Sequence, residues 1–125
     1  MLTFHQKISN EVKRYLNLIT SSSDYYKVKY AFLRPVISSL TINQLLPTEF
    51  ELVIETIRPG IIIGKSGETI NQLKIDIKNW LDIFCVENNY DRINIEIRLV
   101  ELKPFELFKE NQSNNKNYQN GEGLA

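Results

Sequence analysis

The chain has 125 residues, 42% hydrophobic and 24% charged, and its 15 basic and 15 acidic side chains cancel to a formal charge of zero. That length suits one domain with a tail, and the neutral balance argues against the broad phosphate-coating surface of a strongly basic nucleic-acid binder. One cysteine, Cys85, excludes an intrachain disulfide or a cysteine-based metal site, and no apolar run approaches the length that spans a membrane.

The charge is unevenly spread. Residues 1–34 carry six basic and two acidic groups and residues 58–80 carry four and two, whereas 35–57 and 81–125 are net acidic. The start lacks the apolar core of a secretory signal. Lys7, Lys13 and Arg14 would suit an amphipathic import helix, but Glu11 and the rarity of arginine argue against one. Usage is skewed towards Ile, Asn, Lys and Tyr, with Ala only at 31 and 125, as an AT-rich genome would impose. The hypothesis that follows is an organelle-encoded chain, mitochondrial first, with plastid or bacterial cytoplasm as alternatives.

Thr3 and Gln6 stand at capping-box spacing. Ile8, Val12, Leu16 and Ile19 then recur at helical intervals and predict a helix over about 4–19, broken by Ser21-Ser22-Ser23-Asp24. His5, the one histidine, reads as a surface residue rather than a ligand. Residues 25–33 fit either a strand, on the alternation of Tyr26, Val28, Tyr30 and Phe32, or a helix, and Pro35 should end it. Residues 36–46 and 50–57 read as an antiparallel strand pair turning at Pro47-Thr48, with Phe50, Leu52 and Ile54 on one face.

Next comes Arg58-Pro59-Gly60-Ile61-Ile62-Ile63-Gly64-Lys65-Ser66-Gly67. Gly64-Lys65-Ser66 resembles the end of a Walker loop, but the first glycine of that motif would fall on Pro59, which has no N–H for a phosphate cradle. The three isoleucines look instead like the buried face of a short helix that Pro59 begins. In the alternative, Gly64 and Gly67 bracket a tight loop where a phosphate approaches the backbone. Lys65 then supplies a mobile charge, Ser66 a hydroxyl, and the following helix its N-terminal N–H groups. An adjacent apolar groove would hold roughly four splayed nucleotides. The bland reading is a glycine turn between two helices with Lys65 and Ser66 merely solvated.

Ile70, Leu73, Ile77, Trp80, Leu81 and Phe84 form one stripe of a helix over 68–84, with Asn71, Lys74, Lys78 and Asn79 opposite. Trp80 and Cys85 read as core residues, and Lys74 and Lys78 either as a solvated face or as cations on a side that could reach the phosphate path. Asn88-Asn89-Tyr90-Asp91 reads as a loop, and Ile93, Ile95, Ile97 and Leu99 as the inner face of a third strand that Pro104 stops. From Lys109 onward the chain is Asn-rich and is expected to be disordered when alone.

The order strand, strand, Arg-Pro-Gly helix, glycine-bracketed loop, long helix, strand resembles a type II KH domain. The run Val53 to Gly67, then Ile93 to Ile97 and Pro104 to Leu107, is similar to the N-terminal half of the bacterial-type small-subunit ribosomal protein three family. That resemblance implies an α+β fold: a three-stranded sheet with helices packed on one face over 36–107. Residues 1–35 would be an N-terminal helical extension and 108–125 a polar tail. It carries an RNA-contact role onto Gly64, Lys65, Ser66 and Gly67, and onto Arg58, which could equally pair with Glu55 or Glu68; Lys74 joins them on its position. It further implies the ribosomal RNA of the small-subunit head, near where mRNA enters, with neighbouring ribosomal proteins and mRNA as further partners.

The chain departs from the family in being neutral and in carrying an Asn-rich tail where a second αβ domain normally follows. That domain is expected in a separate chain or replaced by neighbours, which puts any helicase-like action on mRNA in doubt. The favoured function is a noncatalytic ribosomal constituent; the rivals are a freestanding RNA-binding factor and a protein-interaction module with a vestigial site. No cofactor is expected, and no paired nucleophile and base, metal cluster or complete nucleotide loop points to an enzyme.

Overall fold

The computed structural model of the chain describes residues 1–21 and 28–103. Its elements are α1 (Phe4–Ile19), α2 (Val28–Ala31), a 3-10 turn (Arg34–Val36), β1 (Ser39–Leu46), β2 (Glu49–Thr56), α3 (Pro59–Ile63), a second 3-10 turn (Lys65–Gly67), α4 (Glu68–Glu87) and β3 (Asn94–Glu101).

Helix α1 begins where its cap dictates. The Thr3 hydroxyl accepts from the Gln6 N–H at 3.1 Å, and the Thr3 N–H donates back to Gln6 Oε1 at 2.8 Å. Its buried stripe is Ile8, Val12, Leu16 and Ile19, as the periodicity predicts. Val28–Ala31 resolves as one helical turn rather than a strand; Tyr25 and Tyr26 lie outside the described residues. Pro35 does not end that helix. It sits inside the 3-10 turn, at a position where its missing N–H costs nothing, and this turn displaces the start of β1 from 36 to 39.

β1 and β2 pair antiparallel around Pro47-Thr48, with a register irregularity between Gln44 and Leu46. β3 pairs parallel with β2, from Glu49 opposite Asn94 to Thr56 opposite Glu101, so the sheet order is β1-β2-β3. Alternation decides the faces. Phe50, Leu52, Ile54 and Thr56 of β2 are buried with Ile42 and Ile95, whereas Glu51, Glu55, Glu96 and Arg98 lie on the outer side. Over the inner face α4 places Leu73, Ile77, Leu81 and Cys85 in the same core as the α1 stripe. The long crossover α3–α4 is what a parallel neighbour requires, and the α+β architecture is the expected one.

Three expectations need correction. His5 is half-buried, not a surface residue: its ring stacks near Phe50 and its Nε2 lies 2.6 Å from the Ile42 carbonyl oxygen. Trp80 is a half-buried clasp rather than a core anchor, stacked on Tyr15 with ring centroids 4.5 Å apart, its N–H donating to Glu11. Of the three consecutive isoleucines only Ile62 is buried; Ile61 and Ile63 are exposed, because five residues make a helix with one inward position. Cys85 is fully buried as expected, and burial pushes its thiol above the ordinary value. The expected disorder of the tail falls outside the described residues.

Candidate nucleic-acid interface

The loop is held from both sides. Behind it, buried Thr56 at the end of β2 donates its hydroxyl to the Val36 carbonyl at 2.5 Å and accepts the Arg58 N–H at 3.0 Å, which fixes the approach to Pro59. Helix α3 then closes on the Gly64 N–H, which donates to Gly60 O at 2.9 Å. Gly64 has φ +76 and ψ 178, a region essentially reserved for glycine. A Cβ there would lie 2.2 Å from Thr69 Oγ1 and 3.0 Å from the Thr69 amide nitrogen. Thr69 is therefore the reason for the first glycine, and no local pattern in the sequence announces it.

Ser66 (φ 55, ψ 26) and Gly67 (φ 78, ψ 10) are both left-handed. Such residues beside helical ones turn backbone N–H groups into a concave, anion-binding nest. Gly67 is also the N-cap of α4 and supplies no capping side chain, so the positive end of a 20-residue helix opens on the loop, with Glu68 as the acidic residue of its first turn. A Cβ on Gly67 would meet only Asn71 Nδ2, at 3.6 Å, so that approach is open.

Lys65, Ser66 and Arg58 are exposed. Among the described residues neither Lys65 nor Arg58 forms an ion pair, so Arg58 pairs with neither Glu55 nor Glu68. Exposed Ile61 and Ile63 flank the same loop. The structure thus brings Gly64, Lys65, Ser66 and Gly67 into one outward turn with apolar neighbours, and leaves exposed Arg58 at the other end of α3, as its N-cap.

Lys74 is different. It sits on α4 in a line with Gly67, Asn71 and Lys78, but its Nζ is 2.5 Å from Glu96 Oε1 on the edge strand β3. Lys78 reaches the Ile93 carbonyl at 3.4 Å and Asp82 at 3.3 Å. The surface groove of about 430 Å³ along this part of α4 is lined by Asn71, Lys74, Ile75, Lys78 and Asn79. Four of its five lining residues are polar, yet most of the surface they present to it is apolar. Glu96 is the residue that sequence reasoning missed: 22 positions from Lys74, it becomes a neighbour only through the packing of α4 on β3.

A KH domain family profile matches residues 24–107. The chain belongs to the KH-domain family. Within it, the chain is 31% identical over 71 residues, or 57% of its length, to small ribosomal subunit protein uS3 of Oenococcus oeni. It is also 47% identical over 49 residues, or 39% of its length, to small ribosomal subunit protein uS3c of Cyanidium caldarium. These stretches cover 25% and 23% of the two relatives, so the likeness concerns about a quarter of each.

Proposed function

We propose that the chain is a noncatalytic constituent of the small ribosomal subunit that holds ribosomal RNA at the Gly64–Gly67 loop. The observation that carries this reading is the exposed left-handed turn at the N-terminus of α4, with Lys65 and Arg58 free of carboxylates among the described residues. Backbone N–H groups and Lys65 take a phosphate, Ser66 donates a hydrogen bond, and Ile61 and Ile63 offer apolar contact to bases. Similarity to two small-subunit proteins supports the ribosomal setting. A place in the subunit head near where mRNA enters, contacts with neighbouring ribosomal proteins and an organellar ribosome belong to the same proposal; the Ile, Asn, Lys and Tyr skew supports the last.

Replacing Lys65 and Ser66 with aspartate puts like charge beside phosphate on two exposed side chains. RNA binding should be lost while the fold survives; persistence of binding would remove the loop from the mechanism. Sedimentation separates a structural constituent, which stays with the small subunit in high salt, from a factor that washes off. A protein-interaction module is favoured by the zero net charge and by the Lys74–Glu96 pair beside the groove, and binding that survives the aspartate pair would support it.

A further inference from the structure

A second basic surface lies at the other edge of the sheet. β3, which flanks the α4 groove, is one edge and β1 is the other, about 10 Å away across two strand spacings. There α1, the Arg34–Val36 turn and β1 enclose a cleft of about 770 Å³. Lys13, Arg34, Asn10 and Asn17 form its polar rim, and Ile37 and Leu40 give it apolar wall.

The rim charges are available. Arg14 also lines the cleft, but Glu11 holds it at 2.8 Å. Among the described residues Lys13 and Arg34 meet no carboxylate, and none lines the cleft. Arg34 is positioned rather than neutralised: its Nη1 donates to Asn17 Oδ1 at 3.2 Å and Thr20 Oγ1 at 3.3 Å. In a chain of zero net charge, this cleft belongs to the segment with the largest basic excess.

We propose that the α1–β1 cleft is a second binding site for single-stranded RNA, taking phosphate on Lys13 and Arg34 and a base or ribose against Ile37 and Leu40. It rests on the reading that the Gly64–Gly67 loop holds RNA, and it uses none of that loop's residues. An acidic peptide would satisfy the cations too, and its backbone could pair with the carboxamides; RNA is the occupant chosen because it is the ligand already proposed for the Gly64–Gly67 loop of this chain. Asn10 and Asn17 can donate and accept, as base edges demand. Two separated sites on one strand also raise the effective concentration at each, which compensates for a surface too neutral to bind broadly.

The test uses the full chain and a mixed-sequence single-stranded RNA of about 30 nucleotides, with affinity measured across a salt series. On single strands each lost phosphate contact lowers the slope of log affinity against log salt by about 0.7, so K13Q/R34Q should lower it by about 1.4 and weaken binding about 25-fold near 0.1 M salt. N17D, which is isosteric and sets a carboxylate on Arg34, should weaken binding about fivefold and decides the matter if K13Q/R34Q does not fold. An unchanged slope in K13Q/R34Q with an unchanged melting temperature overturns the cleft, as does N17D binding as tightly as the parent. A polyglutamate peptide that binds and is not displaced by RNA overturns it too. Wild-type protein that binds no RNA overturns the loop reading along with it, whereas loss in K65D/S66D with no effect of the cleft variants overturns the cleft alone.

Discussion

Gly64→Ala tests whether the loop is built as described. The new Cβ would sit at φ +76 and ψ 178, 2.2 Å from Thr69 Oγ1, 2.7 Å from Thr69 Cβ and 3.0 Å from the Thr69 backbone nitrogen. Rotating the threonine relieves only the first contact; the backbone one requires the start of α4 to move. Backbone strain of this kind costs about 1–3 kcal/mol, and forced overlap adds about 1–3 kcal/mol. A total of about 3 kcal/mol is expected. Gly67→Ala has the left-handed penalty alone, about 1 kcal/mol, since its Cβ meets only Asn71 Nδ2, at an ordinary van der Waals distance of 3.6 Å. With a urea m-value of about 2 kcal/mol per molar, the two midpoints should differ by about 1 M. Thr69→Ala should cost less in the Gly64→Ala background than alone, by about 1 kcal/mol in a double-mutant cycle. Equal midpoints for the two glycine variants, or strict additivity with Thr69→Ala, would refute the claim that Thr69 dictates the first glycine.

Gly67→Ala should weaken RNA binding more than it weakens the fold, because the methyl group fills the open side of the loop; urea melts and RNA titration of one preparation check this. Glu96→Gln removes the carboxylate 2.5 Å from Lys74, and the freed lysine should strengthen RNA binding about fivefold near 0.1 M salt; unchanged affinity would leave Lys74 outside the RNA path. Tyr30→Phe removes a 2.6 Å hydrogen bond from the buried phenol to Asp76 and should cost about 1.5 kcal/mol in chemical denaturation. Burial raises the Tyr30 value and the Asp76 bond raises it further, so the unfolded chain releases this proton first and stability should fall as pH climbs above about 10; that alkaline loss should shrink in Tyr30→Phe. Burial would raise the Asp76 carboxyl, but hydrogen bonds from Tyr30, Gln72 and Lys29 outweigh it and hold it below its ordinary 3.8. Its contribution is therefore present above about pH 4 and lost as pH falls through the lowered value, a window that acid titration of the melting temperature reads directly.

The elements that local chemistry specifies were legible in order. Helix α1 follows from Thr3, Gln6 and a four-residue apolar stripe, the hairpin from Pro47-Thr48 and strand alternation, and the loop from two glycines three apart. Errors arose where tertiary neighbours decide. Pro35 reads as a stop but supports a 3-10 turn whose last residue, Val36, caps Thr56. His5 has no sequence partner, yet the sheet brings the Ile42 carbonyl to it. Lys74 reads as a free cation because Glu96 is distant in the chain. The basic excess of residues 1–34 was visible as composition, but its gathering into a cleft depends on the 3-10 turn setting Arg34 beside Asn17.

The sheet joins two kinds of partnership. Leu46 opposite Glu49 closes the hairpin within a few residues, whereas Glu49 meets Asn94 only after the chain has run through both helices of the crossover. Closing so long a span is slow and entropically costly until the helices are packed. The hairpin should therefore assemble early, and the docking of β3 should be the step that locks α4, and with it the glycine turn, into place. A ligand gripping that turn would act as a clasp on the last stage of folding, so it and the third strand would stabilise one another without touching the same atoms.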